Sequence, residues 1–583
     1  MFNTLLKTDF YKCCHMLQYD NSVTHFTSYL TPRNSRFKTI DKMVFFGLSN
    51  FIQKYLVEDF NTTFFNRDFP SIKKEFEEVL RDGLLYDEEL MNKTLTKVSQ
   101  LHTLGYLPIE INALPEGTLC PMGVPAIEIR STHKDFAWVA QAIESLLSCS
   151  IWHPCISATI AHEYAKIASA AYTKTVDNGN YKNGCCDFSL RGQESYESAL
   201  ISGVAFLTSF NNCSTVEARE LIRTIYSDKE VTDVFGLTST EHSVMCTDMA
   251  IYNNEEHIIK KLLTDTYRNV NFSLVADSRD FWNVVTNILP SLREEIEAHN
   301  GFIGIRHDSD EPVHALCGIK SINLNKILCG EPEVNNFEDF ESLVYEIVND
   351  DLHFDEVEEV YFEYKFKDIT YKGVFDIIPY VESYDHKGRE WIAYETTFLR
   401  EERTPEDKGM VESLYELFGG YTNSKGYKVM NPKLKAVYGD SITIPRAKEI
   451  YKRLEEKGFA ANNVSLGVGS FSMECLEEDG VLKPFTRDSF SIAVKATYCI
   501  YNDNGEEKEI FIYKDPKGCS AKKSLKGLCR VAEGYDEIKV LQGLSQQQYD
   551  SLEPVSLFVN YFKDGNVNKY SFKDIRNRME DNI

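Results

Sequence analysis

The stretch FIGIRHDSDEP, residues 302–312, decides how the rest of the chain is interpreted. It begins as a run suited to a buried β-strand and passes directly into arginine, histidine, aspartate and serine. Three other stretches have the same form: FSLVADSRD at 272–280, LKAVYGDSIT at 434–443 and NVSLGVGSFS at 463–472. Strands of a parallel sheet are buried on both faces and read as continuous apolar runs. The four stretches therefore predict parallel strands with polar side chains at their carboxyl ends.

A helix is predicted between the last two of these strands. Thr443 is suited to cap its start, Pro445 to its first turn, and Gly458 to the position after its end. The spacing of one helix face is shown by Ala447, Ile450, Tyr451 and Leu454. Repeated strand–helix units predict a parallel α/β architecture, either a barrel or an open sheet, with its chemistry at the carboxyl ends of the strands.

The composition limits the classes of function. With 583 residues and 43% hydrophobic content, the chain is expected to form two or more domains. Its net charge of −26 disfavours binding to nucleic acid and to anionic membranes. It has no apolar run of transmembrane length and no signal-peptide core at its N-terminus. The 15 cysteines include no CxxC pair, which favours reduced thiols and a cytoplasmic location.

Three regions are predicted along the chain. Residues 1–145 are expected to form an α+β domain that is completed by residues 500–583, and residues 146–499 the α/β catalytic domain. Helices are predicted at 135–147 and 156–176. Residues 313–406 hold 22 acidic and 9 basic residues, half of the net charge. They are interpreted either as an acidic subdomain inserted in the barrel or as a solvated surface excursion without a function.

Several strand-end residues are suited to phosphate and sugar chemistry. Asp277, Asp308 and Asp440 could bind Mg²⁺ with its waters or accept ribose hydroxyls, or could simply cap the following helices. The turns GDSIT and GVGSFS favour phosphate. Residues 513–530 have six lysines or arginines against one aspartate, which predicts either a polyphosphate site or a solvated loop.

Two further stretches offer candidate residues. His242, beside Glu241, is suited to act as a nucleophile or base, although a lone histidine is more often structural. In CDFSLRGQES, Phe188 and Arg191 could stack on and polarise a planar heterocycle, while a core position is the ordinary interpretation of a phenylalanine.

The motifs, taken in order, resemble one family. TDFYKCCHMLQY, DFSLRGQES, EHS, ADS, IRHDS, GDS, FTRDSF and YKDP…KKSLKG follow one another as in the nicotinamide phosphoribosyltransferases, over essentially the whole chain except 313–406. The resemblance implies an irregular α/β barrel of the type II phosphoribosyltransferases packed on an α+β domain. It implies a homodimer with shared active sites. The implied reaction converts nicotinamide and phosphoribosyl pyrophosphate to nicotinamide mononucleotide and pyrophosphate in NAD salvage, with Mg²⁺.

The resemblance also implies roles for individual residues. ATP, as co-substrate, would phosphorylate His242. Phe188 would stack on the pyridine ring, opposite Tyr11 of the partner subunit and beside Asp9. Asp308 would take the ribose hydroxyls, and Asp277 would act on the metal–pyrophosphate side, with any metal contact through water. The base and phosphate region would be lined by Arg191 and Arg306, the ribose-phosphate pocket by Gly439, Asp440 and Gly469, and positive charge would come from Arg33, Arg487, Lys495, Lys514 and Lys522.

Two departures from the family pattern keep alternatives open. Ser214 stands where nicotinamide-using members carry an aspartate, and a serine rejects nicotinate less firmly, so nicotinate phosphoribosyltransferase is the second interpretation. Asp310 replaces a glycine. A third interpretation is a catalytically silent relative that uses the insertion to bind a protein. The intact His242, Asp277 and Arg306 argue against it.

Overall fold

The structure is a computed structural model that describes residues 2–228, 233–384, 390–514, 524–553 and 555–583. The chain divides into two compact units. The first unit comprises Met1–Glu163, Ser189–Phe235 and Ser470–Ile583, and the second comprises Tyr164–Phe188 and Gly236–Gly469. Among the described residues, no helix combines the length and the apolar character that a membrane span requires.

The first unit contains an antiparallel sheet that joins the two ends of the chain. Val23–Thr31 pairs with Ile127–Ser131 on one side and with Ala493–Asp503 on the other. The seven strands lie in the order Glu506–Phe511, Ala493–Asp503, Val23–Thr31, Ile127–Ser131, Ile109–Ala113, Val559–Lys563 and Asn566–Val567. The strand Ala493–Asp503 runs across the domain boundary predicted at 499/500. Its pairing partner, Val23–Thr31, lies more than 400 residues away in the sequence, so the local sequence does not show where the strand belongs.

Helices and two-stranded antiparallel sheets complete the first unit. These sheets pair Lys42–Val44 with Leu119–Pro121, Cys475–Glu478 with Val481–Pro484, and Leu528–Glu533 with Ile538–Leu544. Its longer helices are Phe69–Glu78, Glu88–Leu104, Tyr196–Phe206, Val216–Ile225 and Phe572–Glu580. Val44, Phe46, Ile222 and Phe572 belong to one buried core.

One long helix replaces the two helices predicted at 135–147 and 156–176. Only the short Val139–Ala142 helix precedes it, and Glu144–Thr175 then runs for 32 residues with Pro154 in its interior. A proline removes one backbone hydrogen bond and bends a helix, but it need not end it. The neighbouring chain leaves room for the Pro154 ring, because residue 47 is a glycine. A Cβ atom on Gly47 would lie 2.5 Å from the Cγ of Pro154.

The second unit contributes five strands to a curled parallel sheet, half of a barrel. Their order is Cys185–Asp187, Val464–Val468, Leu434–Tyr438, Ile303–His307 and Phe272–Val275. The four predicted strands are thus confirmed as parallel neighbours. Because they are parallel, their carboxyl ends lie at one edge of the sheet.

The predicted helix after the 434–443 stretch is also confirmed, as Ile444–Glu456. The Thr443 side chain accepts the backbone N–H of Arg446, and Gly458 adopts a φ of 76° just beyond the end. All four residues of the predicted apolar face are buried. The other helices of this unit include His242–Tyr252, Glu255–Lys261, Arg293–Ala298, Pro312–Cys317, Phe337–Asp350 and Pro405–Phe418.

Most of residues 313–406 form an ordered α+β structure. Glu358–Phe366 pairs in parallel with Lys320–Asn323 and antiparallel with Ile369–Tyr384, which pairs with Glu390–Arg400. The helix Phe337–Asp350 shares a core with this sheet, formed by residues such as Phe340, Ile347, Val360, Phe362 and Phe375. The segment therefore has hydrophobic packing of its own.

Candidate active site

Two carboxylates meet at the carboxyl ends of neighbouring strands in the second unit. Asp277 follows Phe272–Val275, and Asp308 follows Ile303–His307. The backbone N–H of Asp308 donates to Oδ2 of Asp277 over 2.9 Å, and the Ser309 hydroxyl donates to the same oxygen over 2.7 Å. The Asp277 side chain is only 2% exposed, and its Oδ1 is buried without a hydrogen-bond partner. One lone-pair-bearing oxygen therefore stays unused at the sheet edge.

The surroundings shift the pKa values of these two carboxyls in opposite directions. Burial alone would raise the pKa of Asp277, but hydrogen bonds to its carboxylate, among them those from the Ser309 hydroxyl and the Asp308 N–H, lower it well below its usual range. Burial raises the pKa of Asp308; Arg306 opposes this shift, the Asp277 charge adds to it, and His242 opposes it. The pair thus combines a firmly ionised carboxylate with one that is easier to protonate.

His242 begins the helix His242–Tyr252 and faces both carboxylates. Its Nε2 lies 3.8 Å from Oδ1 of Asp277 and 3.8 Å from Oδ2 of Asp308. Its Nδ1 lies 3.2 Å from the Ser278 hydroxyl oxygen. Because the side chain is 48% exposed, a solvent-borne phosphate donor can reach the ring.

Arg306 brings a guanidinium group to the same place. Its Nη1 donates to the Ser239 hydroxyl over 2.7 Å, and its Nε lies 3.2 Å from Oδ1 of Asp308. The Ser273 hydroxyl in turn donates to Ser239 over 2.7 Å. These contacts hold the guanidinium beside the carboxylates. We call His242, Asp277, Arg306 and Asp308 the strand-end site.

Glycines allow the next strands to approach this site. A Cβ on Gly439 would lie 2.2 Å from Oδ1 of Asp308, so a side chain at this position would collide with the carboxylate. A Cβ on Gly467 would lie 2.5 Å from the Phe188 ring and 3.0 Å from the Cα of Gly439. Phe188 therefore lies along the same edge as Asp308, three strands further along the sheet.

Asp440 and Gly469 lie close to each other beyond these glycines. Oδ1 of Asp440 is 3.9 Å from where a Cβ of Gly469 would be. The exposed Asp440 side chain accepts the Ser441 N–H over 2.8 Å, and Ser441 adopts a φ of 55°. The structure thus brings together all the predicted site residues that belong to the second unit.

The predicted site residues of the first unit lie in smaller groups. Asp9 accepts the Ser145 hydroxyl over 2.6 Å, and Lys495 lies 3.8 Å from the neighbouring Glu144. Arg33 donates through Nε to the Ser491 carbonyl over 2.9 Å. Tyr11 is 60% exposed, and Arg487 lies 3.2 Å from Asp488. Exposed positions are also occupied by Arg191, Ser214 and Lys514. Lys522 lies outside the described residues.

The arrangement can be compared with what Mg²⁺ requires. In the described ranges, no three His, Cys, Asp or Glu side chains are grouped to enclose a metal ion. Mg²⁺ usually keeps several waters and binds one or two carboxylates together with substrate phosphates. The unused Oδ1 of Asp277, with Asp308 beside it, fits that mode of binding.

Several residues of the site were assigned no role from the sequence. Ser239 and Ser278 contact Arg306 and His242, Ser309 contacts Asp277, and the Tyr438 hydroxyl lies 2.5 Å from the Ser309 carbonyl oxygen. The hydroxyl-rich stretch around His242 and the serines after the strand-end aspartates were the available signals. Tyr438 gave none, since a tyrosine at the end of an apolar run resembles any core residue.

Comparisons with known proteins identify the family of this chain. A family model described as the nicotinamide phosphoribosyltransferase N-terminal domain matches residues 3–111. A second, described as the nicotinate phosphoribosyltransferase (NAPRTase) family, matches 184–375 and 397–549. The chain is 31% identical to a nicotinamide phosphoribosyltransferase of Acinetobacter baylyi, over 96% of this chain and 94% of that one. It is 26% identical to one of Mycoplasma pneumoniae, over 82% and 86%.

Among solved structures, human nicotinic acid phosphoribosyltransferase aligns with 98% of this chain and 93% of its own, with 13% identity and a TM-score of 0.45. The NAPRTase match omits only 376–396 within 313–406, so the family likeness reaches further into this region than the motifs indicated. On the family models and the Acinetobacter relative, the chain belongs to the nicotinamide phosphoribosyltransferases of the NAPRTase family.

Proposed function

We propose that the protein transfers the phosphoribosyl group of phosphoribosyl pyrophosphate to nicotinamide, producing nicotinamide mononucleotide and pyrophosphate for NAD salvage. The observation that carries the proposal is the strand-end site. At one edge of a parallel sheet, the His242 ring lies within 4 Å of the carboxylates of Asp277 and Asp308. The Arg306 guanidinium in turn lies within 4 Å of the Asp308 carboxylate. The nicotinamide phosphoribosyltransferase relatives named above supply the substrate class.

The residues of the strand-end site have separate roles in this reaction. The pyridine nitrogen attacks the anomeric carbon of the ribose, while the bond from that carbon to the pyrophosphate oxygen breaks and its electron pair leaves with pyrophosphate. Asp308 accepts hydrogen bonds from the ribose hydroxyls and stabilises the positive charge that develops on the sugar. Arg306 attracts the phosphates, and Phe188 provides a flat surface for the pyridine ring.

The residues also fit a magnesium ion. Asp277 would hold Mg²⁺ through water, with Asp308 next to it, and the remaining ligands would be water and phosphate oxygens. When bound, the ion would stabilise the negative charge of the leaving pyrophosphate. Asp277 suits this role because its pKa is low, so the carboxylate stays ionised beside the cation.

ATP is proposed as a co-substrate that phosphorylates His242. A ring nitrogen attacks the γ-phosphorus, the bond to the β,γ-bridging oxygen breaks, and ADP leaves. Nε2 is better placed than Nδ1, since Nδ1 is engaged with the Ser278 hydroxyl. The exposure of the ring and its place at a helix N-terminus support the proposal, because helix N-termini favour anionic groups.

The predicted substrate contacts of the first unit are part of the same proposal, with positive charge on Arg33, Arg487 and Lys495. The homodimer with shared active sites and the cytoplasmic location stay predictions. Sedimentation equilibrium of the purified protein checks the first of these. A monomer at micromolar concentration would contradict it.

Nicotinate is the second candidate substrate, and Ser214 is the reason. Its side chain is exposed and can accept or donate a hydrogen bond, so it does not repel a carboxylate as an aspartate would. The discriminating experiment supplies equal nicotinamide and nicotinate with phosphoribosyl pyrophosphate and Mg²⁺ and quantifies both mononucleotides. We expect nicotinamide mononucleotide to dominate. A clear excess of the nicotinate product would reverse the assignment, and no product from either base would refute it.

A further inference from the structure

His307 is buried directly behind the strand-end carboxylates, and the mechanism above does not use it. It is the last residue of the strand Ile303–His307 and is only 1% exposed. Its ring lies between two aromatic rings, with centroid distances of 4.0 Å to Phe281 and 5.7 Å to Tyr438. These contacts fix the plane of the imidazole. A polar ring enclosed in this way needs hydrogen-bond partners.

The hydrogen bond at Nδ1 determines where the ring proton lies. The backbone N–H of Ser309 donates to Nδ1 of His307 over 3.1 Å. A backbone N–H can only donate, so Nδ1 carries the lone pair and the neutral ring has its proton on Nε2. Nε2 lies 3.4 Å from Oδ2 of Asp310 without forming a hydrogen bond, and Nδ1 also lies 3.6 Å from Oδ2 of Asp277. The hydrogen bond between the ring and the turn is therefore the one from the Ser309 N–H to Nδ1.

The turn formed by residues 308–310 also donates hydrogen bonds to Asp277. Within it, the N–H of Asp308 and the hydroxyl of Ser309 both donate to Oδ2 of Asp277, which leaves Oδ1 free at the sheet edge. The turn closes with Asp310 at a φ of 69°, a conformation that is uncommon for residues other than glycine. The Tyr438 hydroxyl lies 2.5 and 2.8 Å from the carbonyl oxygens of Ser309 and Asp310.

We propose that His307 is a positioning residue, which sets the turn 308–310 through its Nδ1 acceptor and thereby orients Asp277 and Asp308. It touches no substrate itself and acts through Ser309. The inference rests on the proposed function, since it assigns Asp277 and Asp308 to the phosphoribosyl pyrophosphate side of the reaction. A displaced turn should therefore affect the use of that substrate and leave nicotinamide binding unaffected.

Two polar substitutions distinguish the contribution of Nδ1 from that of Nε2. His307→Asn keeps an acceptor near the position of Nδ1, whereas His307→Gln places its amide near Nε2 and leaves the Ser309 N–H without an acceptor. We expect kcat/KM for phosphoribosyl pyrophosphate to fall about 10- to 100-fold in the Gln variant and to stay within about threefold of the parent in the Asn variant. The KM for nicotinamide should stay unchanged in both. His353→Gln, at a 69% exposed side chain, is the matched control.

Equal losses in the Asn and Gln variants, or a loss that appears only as a lower melting temperature, would overturn the assignment. If the Gln variant does not fold, Tyr438→Phe provides the second test. It removes the hydroxyl that donates to the carbonyl groups of the same turn, and it keeps the packing of the Tyr438 ring against His307. Its KM for phosphoribosyl pyrophosphate should rise, and an unchanged KM would count against the proposal. Failure of the proposed function would differ from all of these, because the parent protein itself would then form no product.

Discussion

The strand-end site and the acidic region 313–406 are both rich in carboxylates, but they differ in how the charges are solvated. In the acidic region many carboxylates lie at the surface, and pairs such as Lys372–Glu402 are largely exposed, with 78% of the glutamate side chain accessible. In the strand-end site, the Asp277 side chain is almost fully buried and one of its oxygens has no hydrogen-bond partner. The acidic region contains more charges, but the desolvation cost of each charge is larger in the strand-end site.

This difference shows where function is to be sought. Exposed ion pairs contribute about 0–1 kcal/mol and are common on any protein surface. An unsatisfied buried polar oxygen costs about 1–3 kcal/mol, more when it is charged, so folding alone gives no reason to keep one. A ligand that fills the site would remove this cost. The buried Oδ1 of Asp277, which forms no hydrogen bond and lies 3.8 Å from the half-exposed His242 ring, is therefore a better candidate for a ligand contact than the exposed charges of residues 313–406.

The largest effect is expected from Asp308→Asn. The substitution keeps the size of the side chain beside Gly439 but removes the negative charge that stabilises the sugar cation. We expect kcat/KM to fall by about 10²- to 10³-fold, the range typical of lost electrostatic stabilisation. Steady-state assays of mononucleotide formation measure it. Glu338→Gln, at an exposed position of the acidic region, is the control, and a similar loss there would remove the distinction between the two regions.

His242→Ala should abolish the ATP-stimulated part of the rate and leave the basal rate in place. The histidine is needed as a phosphate acceptor, whereas the transfer to nicotinamide uses the other residues of the strand-end site. Rates with and without ATP, together with phosphate incorporation from labelled ATP, measure the effect. His257→Ala, on the neighbouring helix, should keep the stimulation. Equal rates with and without ATP in the parent protein would contradict the role of His242.

Lys435, which is half-buried, tests whether a lone charge is costly elsewhere in the same sheet. Burial lowers its pKa to about 8, against 10.5 when unfolded, and Lys435 forms no ion pair with any residue that the structure describes. Below pH 8 both states are protonated, so the folded protein carries the full cost, which fades as the pH rises from 8 to 10.5. Lys435→Met should therefore raise the free energy of unfolding at pH 7 by about 1–3 kcal/mol.

Urea denaturation at several pH values measures this gain, which should shrink toward pH 10. The exposed Lys452→Met serves as the control and should show no such trend. A gain that does not depend on pH would mean that packing, and not the lysine charge, is responsible.

The smallest effect is expected from the acidic region. Glu356→Gln and Glu395→Gln remove exposed charges that are remote in sequence from the strand-end site. We expect kcat/KM to stay within about twofold, in line with surface substitutions that change stability by less than about 0.5 kcal/mol. The same mononucleotide assay measures it. A loss of tenfold or more would assign this region a part in catalysis.

The local part of this structure could be predicted from the sequence. The four apolar runs that end in aspartate, serine or glycine are parallel neighbours, and the Thr443 cap and apolar face of the following helix are present. The contacts that depend on strand register could not be predicted. Gly304 must be a glycine because a Cβ would lie 2.7 Å from the Ser273 side chain, and only the pairing of their strands shows this.

The domain boundaries depend on contacts that are even less local. Whether Ala493–Asp503 belongs to the first or the second unit is decided by its pairing with Val23–Thr31, and no property of its own sequence records that partner. The single helix Glu144–Thr175 was predicted as two helices, and the packing of its interior Pro154 against Gly47 is a tertiary effect that the local sequence does not show.

The strand-end site, formed by strands from distant parts of the chain, is proposed to receive the sugar diphosphate. A crystal structure of the protein with Mg²⁺ and phosphoribosyl pyrophosphate tests it most directly. We predict the ribose hydroxyls at the Asp308 carboxylate and the pyrophosphate on the side of Asp277 and Arg306. Ligand density at a surface that excludes all three residues would contradict the account.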